Sequence, residues 1–175
     1  LTTEVLHRSK NEQDRSSLSV VGVLRKIDTA SVMFFLGILL AVGALQEAGH
    51  LIATADWLRT ALGDVYLINV AIGLLSAIVD NVPLVAASMG MYPIADPGAV
   101  EWMGYFVQDG LFWQFLAYCA GTGGSALVIG SAAGVAVMGL EKIDFVWYLK
   151  RMSLLAIAGY LSGAAVYWLM FGAGA

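Results

Sequence analysis

The stretch Leu74–Tyr92, "LLSAIVDNVPLVAASMGMY", sets a carboxylate inside an otherwise apolar run. Asp80 is the only ionised side chain between Val65 and Ala95. An unpaired charge is costly to bury, so its presence needs a reason. Composition supplies the setting. Of 175 residues, 59% are hydrophobic and 13% charged, and mean hydropathy is +0.79. Soluble domains carry about 25% charged residues, so an all-α polytopic membrane protein is expected. Uncharged stretches cover 29–46, 65–79, 81–95, 111–140 and 153–175. A span needs about 20 apolar residues to cross a hydrocarbon core roughly 30 Å thick.

Charge placement then orders the chain. Residues 1–28 hold Arg8, Lys10, Arg15, Arg25 and Lys26, five of the nine basic residues, and read as a cytoplasmic linker with a weakly amphipathic, interfacial part. This polar opening has no apolar h-region, so no signal peptide is expected in it. A chain that opens this way is expected to be a processed or excised part of something longer. Arg25 and Lys26 put the start of a first span, 29–49, on the cytoplasmic side. Residues 50–63 are too short and too charged to span and read as an interfacial helix, with Asp56 and Arg59 as a surface pair. The loop 93–110 carries Asp96, Glu101 and Asp109 but no Lys or Arg, which puts it outside. Segment 141–151, with Lys142, Lys150 and Arg151, reads as a cytoplasmic amphipathic segment, and 152–172 as the last span. Trp102, Trp113, Trp147, Tyr148 and Trp168 suit interfacial anchors.

These sides constrain the opening stretch. If residues 64 and 93 lie on the same side, segment 64–92 cannot cross. It must enter and turn back as a re-entrant hairpin. Fifteen helical residues reach about 22 Å, which puts a turn at Asp80–Pro83 past the midplane. Pro83 suits the first turn of the returning helix. Segment 111–140 is too long in a complementary way, at about 45 Å if helical throughout. Its centre, "AGTGGSALVIGSAAG", clusters Gly121, Gly123 and Gly124 around Thr122. Each mid-helix glycine costs roughly 1 kcal/mol relative to Ala, so a discontinuous transmembrane helix is expected, with Ser125 capping its second half. Small residues in the last span, Gly159, Ser162, Gly163 and Ala164, suit close helix packing.

A hairpin tip and a helix break at mid-membrane form an arrangement suited to ions. The tip offers the Asp80 carboxylate, the Asn81 amide oxygen and Ser76. The break offers the Thr122 and Ser125 hydroxyls and carbonyls around Gly123 and Gly124. Such hard oxygen donors fit Na⁺ or Li⁺ better than a soft metal, with Asp80, Asn81, Thr122 and Ser125 as the expected Na⁺ ligands. Desolvation favours the protonated form of a carboxylate, whereas a bound cation favours the ionised form. One carboxylate can thus take a proton or a cation in turn, which suffices for exchange. Ser131, after Gly130, is a secondary candidate. So are Glu47 and His50, spaced i, i+3 at a helix end. No cofactor is expected beyond the transported Na⁺ (or Li⁺) and H⁺. With Cys119 as the one cysteine, neither an internal disulfide nor a Cys-based metal site is expected. A net charge of −4 without a basic stripe argues against nucleic acid.

At "AIVDNVPLVAASMGMY" and "AYCAGTGGSALVIGSAAGVAVMG" the sequence resembles the NhaD-type sodium/proton antiporters of the ion transporter superfamily. "FFLGILLAVGALQEAG", "KIDTA" and "FVWYLKRMS" extend the match from Lys26 onward. The resemblance implies a protein of about twice this length, made of two inverted repeats, each giving a re-entrant hairpin and a broken helix to a central site. Residues 29–175 look like the C-terminal transport repeat. The family's tip motif falls on Ser76, Asp80 and Asn81, and its break motif on Thr122, Gly123, Gly124 and Ser125. Superfamily relatives that carry dicarboxylates or arsenite have a Ser-Asn pair where this chain has Asp80–Asn81, which favours a cation site. The implied partners are the lipid bilayer, the N-terminal repeat and a second copy in a homodimer. The implied location is a bacterial inner membrane, and this half alone is not expected to transport.

The alternative within the same fold is sodium-coupled uptake of an organic anion, which predicts a cationic or amide-rich pocket. A rhomboid-like enzyme needs a Gly-x-Ser-Gly motif and an intramembrane His, and an aspartyl intramembrane protease needs two buried acids. Neither set is present, so no enzyme is expected. A non-transporting membrane subunit is a third possibility, and it requires the complementary repeat on another chain.

Overall fold

The computed structural model describes residues 29–172; the linker expected over 1–28 lies outside them. The chain divides into two units, Leu1–Ile38 and Leu39–Ala175. Among the described residues the architecture is all-α, with no strand beyond an isolated bridge between Ala95 and Val107. Helix α1 (Thr29–Glu47) exposes large apolar side chains from Val32 to Leu40.

In the second unit, helix ends follow from local chemistry. Gly49, left-handed at φ 76°, precedes α2 (His50–Leu62). Gly63 at φ 67° ends α2, its N–H bonding the Arg59 carbonyl at 2.9 Å. Asp64 then caps α3 (Val65–Leu75), accepting from the Tyr66 and Leu67 N–H groups at 2.8 and 2.9 Å. A turn over residues 76–80 leads into α4 (Asn81–Met91), which Asp80 caps. Pro83 occupies the first turn of α4, where no N–H is needed. A loop holding the short helix α5 (Glu101–Gly104) precedes α6 (Leu111–Gly123) and a 3₁₀ turn (Gly124–Ala126). Helices α7 (Ala132–Leu140), α8 (Phe145–Arg151) and α9 (Ser153–Phe171) complete the unit.

The aromatic loop 92–113 fixes the direction of the 65–92 segment. Tyr66 at its start meets Tyr105 at 6.3 Å, and Tyr92 at its end stacks on Phe106 at 4.8 Å. Both ends therefore gather at one aromatic cluster while the 76–80 turn points away. The α3–α6 interface forms the core. Ile68, Ile72, Phe112, Phe115, Leu116 and Cys119 are buried there, joined by Tyr160 and Ala164 of α9. Tyrosine hydroxyls tie α9 in place: Tyr118 donates to the Tyr160 carbonyl at 2.9 Å, and Tyr160 donates to Val70 at 2.8 Å. At the far end, Tyr66 donates to Phe171 at 3.1 Å.

Helix α9 is long and apolar enough to cross a bilayer, and it exposes Leu154, Leu155, Leu169 and Met170. Two details differ from the sequence reading. Arg59 does not pair with Asp56; its guanidinium lies 5.0 Å over the Trp102 ring. The break in 111–140 also falls later than the glycine cluster. The chain stays helical through Gly123 and the 3₁₀ turn, and opens over residues 127–131. The reason is packing. A methyl on Gly123 would collide with the Gly73 carbonyl, so this glycine buys a close α3–α6 approach rather than a bend.

Candidate functional site

The 76–80 turn meets segment 124–131, which is the 3₁₀ turn and the opening that follows it. Ser76, fully buried at the C-terminus of α3, has its hydroxyl between the Asn81 amide oxygen and the Ala120 carbonyl, the latter at 2.9 Å. One proton thus serves two acceptors. Gly124 locates the remaining oxygens: a methyl there would sit 3.1 Å from Asn81 Oδ1, 3.2 Å from the Gly130 carbonyl and 3.4 Å from Ser76 Oγ. Three oxygens from tip and break converge on one spot. Gly130 is packed so tightly that an added methyl would collide with the Ser76 and Ala77 carbonyls.

Helix ends add to this electrostatics. Helix α3 ends at the junction, bringing the negative end of its dipole there. The N-termini of α4 and α7 begin there, each closed by a side chain. Asp80, half-buried, accepts from the Val82 N–H at 3.1 Å. Ser131 accepts from the Gly134 N–H at 3.0 Å. Among the described residues no three His, Cys, Asp or Glu side chains group together, so the oxygens here are mostly neutral. Such a set suits a hard monovalent cation.

The other expected site residues stand apart. Thr122 donates its hydroxyl to its own helix at the Tyr118 carbonyl, 2.7 Å away. Exposed Ser125 donates to the Thr122 carbonyl at 2.6 Å. The role of capping the second half-helix, expected of Ser125, belongs to Ser131, because the chain resumes its helix six residues later. Glu47 and His50 are exposed, on either side of left-handed Gly49. Sequence reasoning missed the Gly130 carbonyl. The signal for it was a helix start at "SAAG": a serine before an apolar run, with a glycine ahead of it.

Comparison with known proteins adds the family context. The citrate transporter family, CitMHS, matches residues 16–107. The chain is 51% identical over 167 residues to "Sodium/proton antiporter 1" of Arabidopsis thaliana, covering 95% of this chain and 27% of that protein. "Sodium/proton antiporter 2" of the same plant is 44% identical, with 95% and 37% covered. "Na(+)/H(+) antiporter NhaD" of Vibrio cholerae is 32% identical over 170 residues, covering 91% of this chain and 32% of that protein. The chain thus spans between a quarter and two-fifths of these relatives, which are longer than the twofold length that two repeats alone would give. No solved structure matches it.

Proposed function

Because the chain belongs to the citrate transporter family and is therefore part of a multi-pass membrane transporter, we propose that it serves an antiporter exchanging Na⁺ or Li⁺ for H⁺. Asp80 is the group the two ions share. The observation that carries this reading is the convergence of Asn81 Oδ1, Ser76 Oγ and the Gly130 carbonyl at the junction of two interrupted helices. In this reading 64–92 is a re-entrant hairpin and 111–140 a discontinuous transmembrane helix. Loop 93–110 lies outside and 141–151 in the cytoplasm. Unwound backbone is tolerated at membrane depth only when buried or lining a cavity, which suits an ion site built there.

The exchange follows from charge balance. A cation held by neutral oxygens and one carboxylate is neutralised without a second acid. When it leaves, a proton on Asp80 restores neutrality, so a proton gradient can drive the cation the other way. The remaining ligands come from the N-terminal repeat of the same protein, and the working unit is a homodimer. The bilayer is one that sustains a proton gradient, the bacterial inner membrane being one; plant as well as bacterial proteins are among the relatives. The family's name points to an organic anion, but neither 65–95 nor 111–140 contains a Lys or Arg to hold one.

The test is exchange driven by a pH gradient in vesicles holding the full-length protein. Sodium- and lithium-dependent collapse of the gradient is expected, and Asp80→Asn should abolish it. Near-normal exchange by Asp80→Asn sinks the role given to Asp80.

A further inference from the structure

We propose that Tyr148 is a positioning residue for the cation site, holding the Gly124–Ala126 turn against the hairpin tip from α8. This rests on the cation-site reading and adds to it a residue outside both helix interruptions. The first observation is a hydrogen bond between positions 23 apart: the Tyr148 hydroxyl donates to the Ser125 carbonyl at 2.7 Å. Ser125 follows Gly124, where an added methyl would meet Asn81 Oδ1, the Gly130 carbonyl and Ser76 Oγ. The bond therefore holds the peptide adjoining the point where break and tip touch. Carbonyls at the end of a helix have no donor within it, and here the donor comes from another helix.

The second observation lies just beyond the turn. Val128, buried, adopts φ 49°, and the Ile129 N–H bonds back to the Leu127 carbonyl. This is a γ-turn through positive φ, a strained form, at a β-branched residue that rarely enters that region. Such a conformation persists only where its surroundings over-determine it. Val128 and Tyr148 line the same apolar cavity of about 310 Å³, together with Val137, Met138 and Ile143. The Tyr148 ring thus borders the space beside the strained turn while its hydroxyl holds the carbonyl upstream. Without that hold, the cavity gives the 124–131 segment room to relax away from the tip, carrying the Gly130 carbonyl with it.

The experiment compares full-length wild type, Tyr148→Phe and Tyr66→Phe in vesicles. Phenylalanine keeps the ring and removes only the hydroxyl. Tyr66 is the control, because its hydroxyl also donates to a backbone carbonyl but at the opposite end of α3. Tyr148→Phe is expected to raise the half-saturating sodium concentration about fivefold, the loss of one hydrogen bond, with the maximal rate retained. Amide hydrogen exchange over 124–131 should accelerate in the same variant, and Tyr66→Phe should change neither readout. Unchanged half-saturation and unchanged amide exchange in Tyr148→Phe overturn the proposal, as does an equal shift in Tyr66→Phe. Wild type without sodium-driven exchange sinks the cation-site reading itself, while amide exchange still decides whether Tyr148 holds the turn.

Discussion

Asp80 is both a titratable group and the cap of α4, and the two roles can be separated by substitution. Asparagine caps a helix about as well as aspartate but carries no charge. Asp80→Asn should therefore melt close to wild type while losing exchange, whereas Asp80→Ala should lose exchange and about 1 kcal/mol of stability. Thermal melts of both variants check this, and equal melting of the two contradicts the capping role. A second contrast concerns two serines. Ser131→Ala removes the cap of α7 and should cost about 1 kcal/mol, but Ser125→Ala removes an exposed bond to its own turn and should leave both melting and sodium half-saturation near wild type. A large rise in half-saturation for Ser125→Ala would favour the ligand role read from the sequence.

Element packing turns on which glycines are crowded. Gly121 has open space around a would-be methyl, while Gly123 faces the Gly73 carbonyl and Gly130 faces the Ser76 and Ala77 carbonyls. Gly121→Ala should therefore stabilise α6, by up to about 1 kcal/mol. Gly123→Ala and Gly130→Ala should destabilise by about 1–3 kcal/mol, as overpacking does, and weaken exchange. Denaturation of the three variants tests the order, and a destabilised Gly121→Ala contradicts it. The same contrast explains what was legible in the sequence. The interruption of 111–140 could be read from length and glycine content, since both measure whether one straight helix fits. Its position could not, because a glycine kept for helix contact and a glycine kept for a bend look alike without the partner helix. The turn at Asp80–Asn81 was legible as a turn because a charge in an apolar run stands out, and Asp80 caps the helix that follows it. The Gly130 carbonyl was not, because backbone oxygens leave no mark in a residue pattern. The Arg59–Trp102 contact escaped for a similar reason, its partners lying on separate elements.

Across the whole molecule, the reading requires loop 93–110 and segment 141–151 to face opposite sides of a bilayer. Within these 175 residues the one cysteine, Cys119, is fully buried and adds no reactive thiol to the loops. Cysteines introduced at Gly98 and Glu141, both exposed, should react with a membrane-impermeant thiol reagent from opposite faces of a sealed vesicle. Labelling from one face overturns the assigned topology. The central claim, that one carboxylate serves proton and cation in turn, is tested most directly by sodium binding to the full-length protein as a function of pH. If the two ions compete for Asp80, half-saturating sodium should rise about tenfold for each unit of pH lowered through the titration, and Asp80→Asn should bind sodium weakly at every pH. Sodium binding that is independent of pH, or that survives unchanged in Asp80→Asn, contradicts it.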